Sequence, residues 1–301
     1  MNQSQQPRLK IAAIGEVLWD VFESGPRFGG APVNFACSVA ALAGSHAEVS
    51  MVSAVGDDEL GRDALQQMAQ RAVVTGHVAT VERPTGRVDV VLDGNGVASY
   101  RFLADCAWDQ LEWKESFASL ASGLNVVCFG SLGQRDDTSR ATIQRFVAGT
   151  AASCLRVFDV NLRAPFYDQE TVRQSLQLAN VLKLNDEELP LLAQWFGFGG
   201  DESELLRALA ETFELQCVAL TRGENGAMIL RGDELSDSRG VEANVVDTVG
   251  AGDAYTASLV LGLLANDDLN LINQRACEVA AYVCSQPGAT PGLPPALAEK
   301  H

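Results

Sequence analysis

From Asn125 onward the chain alternates short apolar runs with longer segments of helical period. The runs Asn125 to Phe129, Cys154 to Asp159, Val181 to Leu184 and Cys217 to Thr221 read as strands. Between them, the spacing predicts helices near Thr138 to Ala148, Gln169 to Leu178, Asp186 to Ala193 and Glu202 to Phe213. Strand and helix in regular alternation predict an α/β fold, with a mostly parallel sheet covered on both faces. The N-terminal third adds a buried strand at Lys10 to Gly15, a helix at Phe35 to Ala43 closed by Gly44, and a strand at Glu48 to Val55. Gly56-Asp-Asp58 then caps a helix running through Arg71. Two stretches break the style. Glu16 to Phe22 alternates loosely around Trp19 and Asp20, as a strand leaving the main sheet would. Gly86 to Leu92 and Ala98 to Leu103 are β-rich runs joined by Asp93-Gly-Asn-Gly96, a hairpin signal. Hairpins sit awkwardly in a parallel α/β sheet, so the expectation is one domain, residues 1–301, carrying a small β lid from about 17–28 and 86–108. Ala227 to Arg231 and Val241 to Val246 read as strands at an antiparallel edge. Two helices, Gly250 to Leu264 and Leu271 to Ser285, precede a turn-rich tail at Pro287 to Pro295.

Composition narrows the class. The 301 residues are 47% apolar, enough for a sizeable core without covalent staples. The formal charge of −17 argues against nucleic acid or an anionic membrane surface as a partner. The 7 cysteines are scattered singly with no C-x-x-C pair, as small buried hydrophobes in a reducing compartment would be. The histidines His46, His77 and His301 are isolated, which argues against a zinc site. Met1 to Lys10 is polar and no long apolar run could span a bilayer, so the expected location is the cytoplasm.

Candidate chemistry gathers where strands end, because open α/β sheets bind ligands at the carboxyl ends of their strands. Asp20, Asp159, Asn161, Arg163, Asn185, Glu187, Glu188, Thr221, Arg222 and Asp247 all fall there. Each alone is more often a cap or turn residue than a ligand. The first strand is followed by Glu16-Val-Leu-Trp-Asp20 rather than G-x-G-x-x-G, and no P-loop or nucleophile elbow is present. Two glycine-rich helix starts remain. At Asp247-Thr-Val-Gly-Ala-Gly-Asp253, backbone N–H groups and the positive helix end make an anion site, and Gly250 and Gly252 admit a phosphate to the main chain. Asp253 is the odd member. It is either a base for a hydroxyl attacking that phosphate or a carboxylate complementing the helix dipole, and spacing alone leaves both open. The other start, Phe28-Gly-Gly-Ala-Pro-Val-Asn34, offers an amide, with Asp20 shortly before it. An amide and a carboxylate suit a polyhydroxylated ligand as well as they suit a turn.

These two stretches resemble the two signatures of the ribokinase-like (PfkB) carbohydrate kinases. Asn185-Asp-Glu-Glu188 is similar to that family's N-x-x-E motif, and Thr221-Arg-Gly-Glu-Asn-Gly226 to its nucleotide-binding turn. Gly15 to Asp20, Ala107-Trp-Asp109 and Asp159-Val-Asn-Leu-Arg163 look most like the fructokinase-like branch. The resemblance covers nearly the whole chain and implies a three-layer α/β/α sandwich with a β lid. It implies an ATP-dependent sugar kinase, with fructose foremost and 2-keto-3-deoxygluconate, ribose or a nucleoside as alternatives; a non-catalytic sugar-binding protein is the rival class. By resemblance, Asp253 would be the base, and the N–H groups of Gly250, Ala251 and Gly252 would hold the phosphoryl charge. Asp20, Gly29, Gly30, Asn34 and Arg163 would bind the sugar, with Phe102 and Trp108 closing over it. Lys183, Asn185, Thr221, Gly223, Gly226 and Cys277 would contact the nucleotide. Asn185 and Glu188 would position Mg²⁺ through water, and Asp247 could hold a monovalent cation such as K⁺. A lid with open edges is also a candidate homodimer surface.

Overall fold

The computed structural model describes residues 8–23, 25–92 and 98–298. The hairpin turn at Asp93-Gly-Asn-Gly96, most of the polar N-terminus and His301 lie outside the described residues. The strands are β1 (Leu9–Ile14), β2 (Leu18–Phe22), β3 (Gly25–Gly29), β4 (Ala47–Gly56), β5 (Val73–Val81), β6 (Gly86–Leu92), β7 (Ala98–Phe102), β8 (Val126–Gly130), β9 (Leu155–Asp159), β10 (Val181–Asn185), β11 (Cys217–Thr221), β12 (Ala227–Arg231) and β13 (Glu234–Ser238). The helices are α1 (Ala31–Ala43), α2 (Glu59–Gln70), α3 (Glu115–Ser122), α4 (Asp137–Ala148), α5 (Gln169–Leu178), α6 (Glu188–Phe196), α7 (Glu202–Phe213), α8 (Ala251–Ala265), α9 (Leu269–Cys284) and α10 (Pro295–Ala298).

Among the described residues the main sheet has nine strands in the order β13-β12-β11-β10-β9-β8-β1-β4-β5. Its pairs are parallel from β11 to β5, and β12 and β13 add an antiparallel edge. Strands buried on both faces need continuous apolar runs, which is why Val126–Gly130 and Val181–Leu184 carry so few polar residues. One face packs on α1, α8 and α9 through residues such as Phe35, Leu259 and Ile272; the other packs on α3 to α7 through Phe117, Phe146 and Leu206. This is a three-layer sandwich of the ribokinase-like fold.

Among the described residues the side sheet has four strands in the order β3-β2-β6-β7, stitched from two distant segments. β2 and β6 run parallel at its centre, with β3 and β7 antiparallel outside them. The glycine-rich stretch before α1, read from sequence only as a turn, is therefore a lid strand as far as Gly29. The chain leaves the sheet at Phe102, and Ala107–Gln110 is a short 3-10 helix on the body. There Trp108 is buried among Leu18, Val88 and Leu132, with the Arg135 guanidinium 4.0 Å above its ring. A side chain so enclosed cannot close over a ligand, which corrects the expectation for Trp108. It fastens the root of the lid.

Candidate active site

The site forms where the carboxyl end of the central strands meets the starts of α1 and α8. Gly250 precedes α8 in the left-handed region at φ 81°, and a Cβ there would lie 2.3 Å from the Ala289 carbonyl. Only glycine permits this turn, which leaves the first N–H groups of α8 without intrahelical acceptors. Beneath it lies a buried ionic brace. Lys183 Nζ sits 3.1 Å from Asp159 Oδ1, and the Thr256 hydroxyl donates to Asp159 Oδ2 at 3.1 Å. An ideal Cβ on Gly252 would lie 3.0 Å from Lys183 Nζ, so the ammonium is directly under the anion turn. With 6% exposure, Lys183 adds charge through the turn rather than by reaching into the cleft, a correction to its expected nucleotide contact.

Asn34, on the first turn of α1, donates from Nδ2 to Asp253 Oδ2 at 2.9 Å. Two glycine-rich helix starts separated by more than two hundred residues thus converge on one carboxyl group. Burial, and then the charge of Asp159, push the Asp253 carboxyl up to about 6, while Lys183, Asn34 and Arg163 pull the other way. Asn34 is buried and its Oδ1 has no partner. A Cβ on Gly29 would stand 3.5 Å from Asp20 Oδ2 and 4.0 Å from Asn34 Oδ1, so the bare glycine leaves a gap flanked by two acceptors. Asp20 is raised above the usual carboxylate range by burial, offset in part by Arg163 and Arg27. Arg163 is exposed, donates to the Leu162 carbonyl at 3.1 Å, and acts electrostatically on Glu16, Asp20 and Asp253. Phe102 is half-buried, edge-on to Phe166 at 5.3 Å.

On the other side of the anion turn a cleft of about 830 Å³ is lined by Thr221, Gly223, Gly226, Tyr255 and Cys277, and it ends at Ala251 and Gly252. Val245 edges it with 65% exposure, and Val246 beside it is 63% exposed. They form no strand: the N–H groups of Val246 and Asp247 both bond the Cys284 carbonyl, so the segment hangs on the end of α9 instead of joining the sheet. The expected strand at Val241 to Val246 is replaced by β13, eight residues earlier in the chain.

Asn185 Oδ1 accepts the N–H groups of Glu187 and Glu188 at 3.0 and 2.9 Å. The buried Glu188 carboxylate accepts those of Leu162 and Asn185 at 2.8 and 2.9 Å. Among the described residues no group of three or more His, Cys, Asp or Glu side chains could hold a metal. Asn185 and Glu188 fit a metal only at second hand, through water. Asp247 does not fit a monovalent cation: its carboxylate accepts N–H groups of Val249 at 3.1 Å and Gly288 at 3.2 Å, and the Arg27 guanidinium from lid strand β3 at 3.2 Å. Donors of positive character already surround both oxygens.

Sequence reasoning missed Arg27, Thr256 and Glu16 as members of this neighbourhood. An acidic residue directly after a buried strand and a glycine was the one signal for Glu16.

An α/β sandwich with a four-stranded side sheet, an anion turn and a carboxyl group facing the lid is the architecture of the ribokinase-like kinases. The chain belongs to the pfkB family of carbohydrate kinases, whose pattern matches residues 9–296. It is 28% identical to a fructokinase of Escherichia coli over 95% of this chain and 96% of that one. It is also 28% identical to fructokinase-2 of Oryza sativa subsp. japonica, over 88% of this chain and 82% of the relative. The structure of an uncharacterized sugar kinase from Pyrococcus horikoshii in complex with ATP superposes with a TM-score of 0.77 at 27% identity, over 93% of this chain and 94% of that one. No helix of the described residues is long and apolar enough to cross a membrane.

Proposed function

We propose that this chain transfers the γ-phosphoryl group of ATP to a hydroxyl of a neutral sugar, with fructose the foremost acceptor. The observation that carries the reading is the Asn34–Asp253 hydrogen bond of 2.9 Å, which puts the base of an anion turn beside a pair of hydroxyl-binding acceptors. The nucleotide occupies the cleft bounded by Thr221, Gly223, Gly226 and Cys277, its γ-phosphoryl against the N–H groups of Gly250, Ala251 and Gly252. The sugar sits between Asp20, Gly29, Gly30, Asn34 and Arg163, under Phe102. Asp253 takes the proton as the hydroxyl oxygen bonds to phosphorus and the bond to the leaving ADP oxygen breaks. The turn and the Lys183 ammonium below it stabilise charge on the moving group, the larger share of catalysis in phosphoryl transfer. Mg²⁺, when bound to the phosphates, supplies further charge neutralisation, and Asn185 and Glu188 would meet only its waters.

The acceptor's charge follows from the site. Arg163 acts on three carboxyl groups, Glu16, Asp20 and Asp253, while Arg27 acts on Asp20 and Lys183 on Asp253. Each cation of the site thus already has a carboxyl neighbour, a balance that disfavours a carboxylate or phosphate on the sugar. Two relatives carry the name fructokinase, which favours fructose among neutral sugars. A panel of fructose, ribose, 2-keto-3-deoxygluconate and a nucleoside, with coupled detection of ADP, tests this. Fructose is expected to give the highest kcat/KM; preference for the sugar acid would overturn the charge argument.

A further inference from the structure

Glu16 lies just past the carboxyl end of β1, the third strand from the β5 edge of the main sheet, and it is 2% exposed. Two glycines, Gly30 and Gly133, make room for it. A Cβ on Gly30, which has φ 112°, would lie 2.8 Å from the Glu16 carbonyl and 3.6 Å from its Cγ. One on Gly133 would lie 3.2 Å from Oε2 and 2.9 Å from the Cα of Gly15. A Cβ on Gly15 itself would meet the Pro32 ring at 2.9 Å. The backbone N–H groups of Glu16 itself and of Ala31, the first residue of α1, favour its ionised form. The N-cap residue, Gly30, has no side chain to serve the open N–H groups of α1. Packed against Gly30, Glu16 therefore stands at the start of the helix that carries Asn34, where a carboxyl group complements those N–H groups. Its carboxyl oxygen Oε2 is buried and has no partner, as is Asn34 Oδ1. A buried polar atom left unpaired is costly, and a chain that keeps a carboxyl there needs a use for it.

We propose that Glu16 is a positioning residue of the phosphoryl-transfer site, which fixes the entry of α1 and so Asn34's hold on Asp253, and stands as a second carboxyl group coupled to that base. This rests on the kinase reading above. The charged groups that act on Glu16 are Asp253 from α8 and Arg163 from the segment after β9; Cys128, buried in β8, is a further titratable group facing it. Burial, reinforced by the charge of Asp253, pushes the Glu16 carboxyl up to about 7, above the value of about 6 for Asp253. The two carboxyl groups titrate as a pair, and between the two values the pair shares one proton.

The test uses Glu16→Gln, which keeps the size and the acceptor for the Ala31 N–H but cannot ionise. In the native protein kcat/KM against pH is expected to show two ionisations, near 6 and near 7, and in Glu16→Gln only the lower. Glu16→Ala, which also removes the acceptor beside the Ala31 N–H, is expected to raise the acceptor KM about tenfold, the weight of one buried hydrogen bond, with ATP affinity unchanged. An unaltered two-step profile in Glu16→Gln, or native constants in Glu16→Ala, would overturn the proposal. A readout free of turnover separates this from the kinase reading: carboxyl-carbon NMR of Glu16, expected to titrate near 7 and to move down in Asp253→Asn. If no sugar is phosphorylated but the titration behaves so, only the kinase reading fails. If sugars turn over and the Glu16 signal ignores Asp253, only the coupling fails.

Discussion

At the scale of single residues, the site is organised by what surrounds Asp253. Its carboxyl is raised from an ordinary 3.8 to about 6 by burial and Asp159. A base works only when ionised, so kcat/KM is expected to fall as pH drops below about 6, which a pH–rate profile would show. The same shift has a consequence for stability. With the folded value above the unfolded one, the native state binds more protons between the two, so the stability linked to Asp253 falls as pH rises through that window and is lowest above about 6. Asp253→Asn removes both the base and the disfavoured charge. It is expected to lose about 10²–10⁴-fold in kcat, to retain ATP affinity by calorimetry, and to melt higher than the native protein at pH 7. A lower melting temperature would show that the carboxylate stabilises the fold. Asp253 was legible in the sequence because glycines announce an anion turn. Thr256 and Arg27 were not, since each acts on partners far away in the chain and carries no local pattern of its own, and Glu16 left only the trace of an acidic residue after a buried strand and a glycine.

At the scale of elements, legibility tracked burial. The strands Cys217–Thr221 and Ala227–Arg231 and the helix Glu202–Phe213 coincide with the runs that predict them, because buried strands and capped amphipathic helices leave strong periodic marks. β5 and α3 were missed, the first an edge strand with alternating half-exposed residues, the second only eight residues long. The valines at 245 and 246 were misplaced because a β-branched pair in an exposed segment beside a cleft looks the same as one ending a strand. The brace under α8 shows what the buried elements do for the site. The side chains of Lys183 on β10 and Asp159 on β9 are 8% and 7% exposed, and their bridge holds the two strand ends and Thr256 together. Lys183→Met leaves Asp159 buried without its counter-charge, at a cost of about 3–5 kcal/mol. Thermal denaturation should therefore show a loss on the order of 10 °C. Because Lys183 also holds the Asp253 carboxyl down, its removal is expected to move the acid limb of kcat/KM to higher pH. A stability loss without that movement would mean that the ammonium is structural only.

At the scale of the whole molecule, the question is how the lid communicates with the anion turn. Its root is rigid: Trp108, Leu18, Val88 and Leu132 pack together, and the Arg135 guanidinium lies over Trp108 while pairing with Asp109 at 2.6 Å. Its outer strand is tied to the body differently. Arg27 on β3, in register with Asp20 on β2, reaches Asp247 at the start of the anion-turn stretch. The pair spans the proposed sugar side and phosphate side, yet the Arg27 side chain is 52% exposed, so the link contributes no more than about 1 kcal/mol to stability. In the proposed reaction its weight falls on closure. Water competes with the sugar hydroxyl for the phosphoryl group, and a closed lid suppresses that reaction by excluding it. Arg27→Ala is therefore expected to leave the melting temperature within a few °C of native, to raise the KM for the sugar, and to increase ATP hydrolysis in the absence of sugar relative to sugar phosphorylation. Both rates can be read in one coupled assay run with and without the acceptor. A variant with an unchanged leak and an unchanged KM would mean that the lid closes without this ion pair, leaving the packed root around Trp108 as its connection to the anion turn.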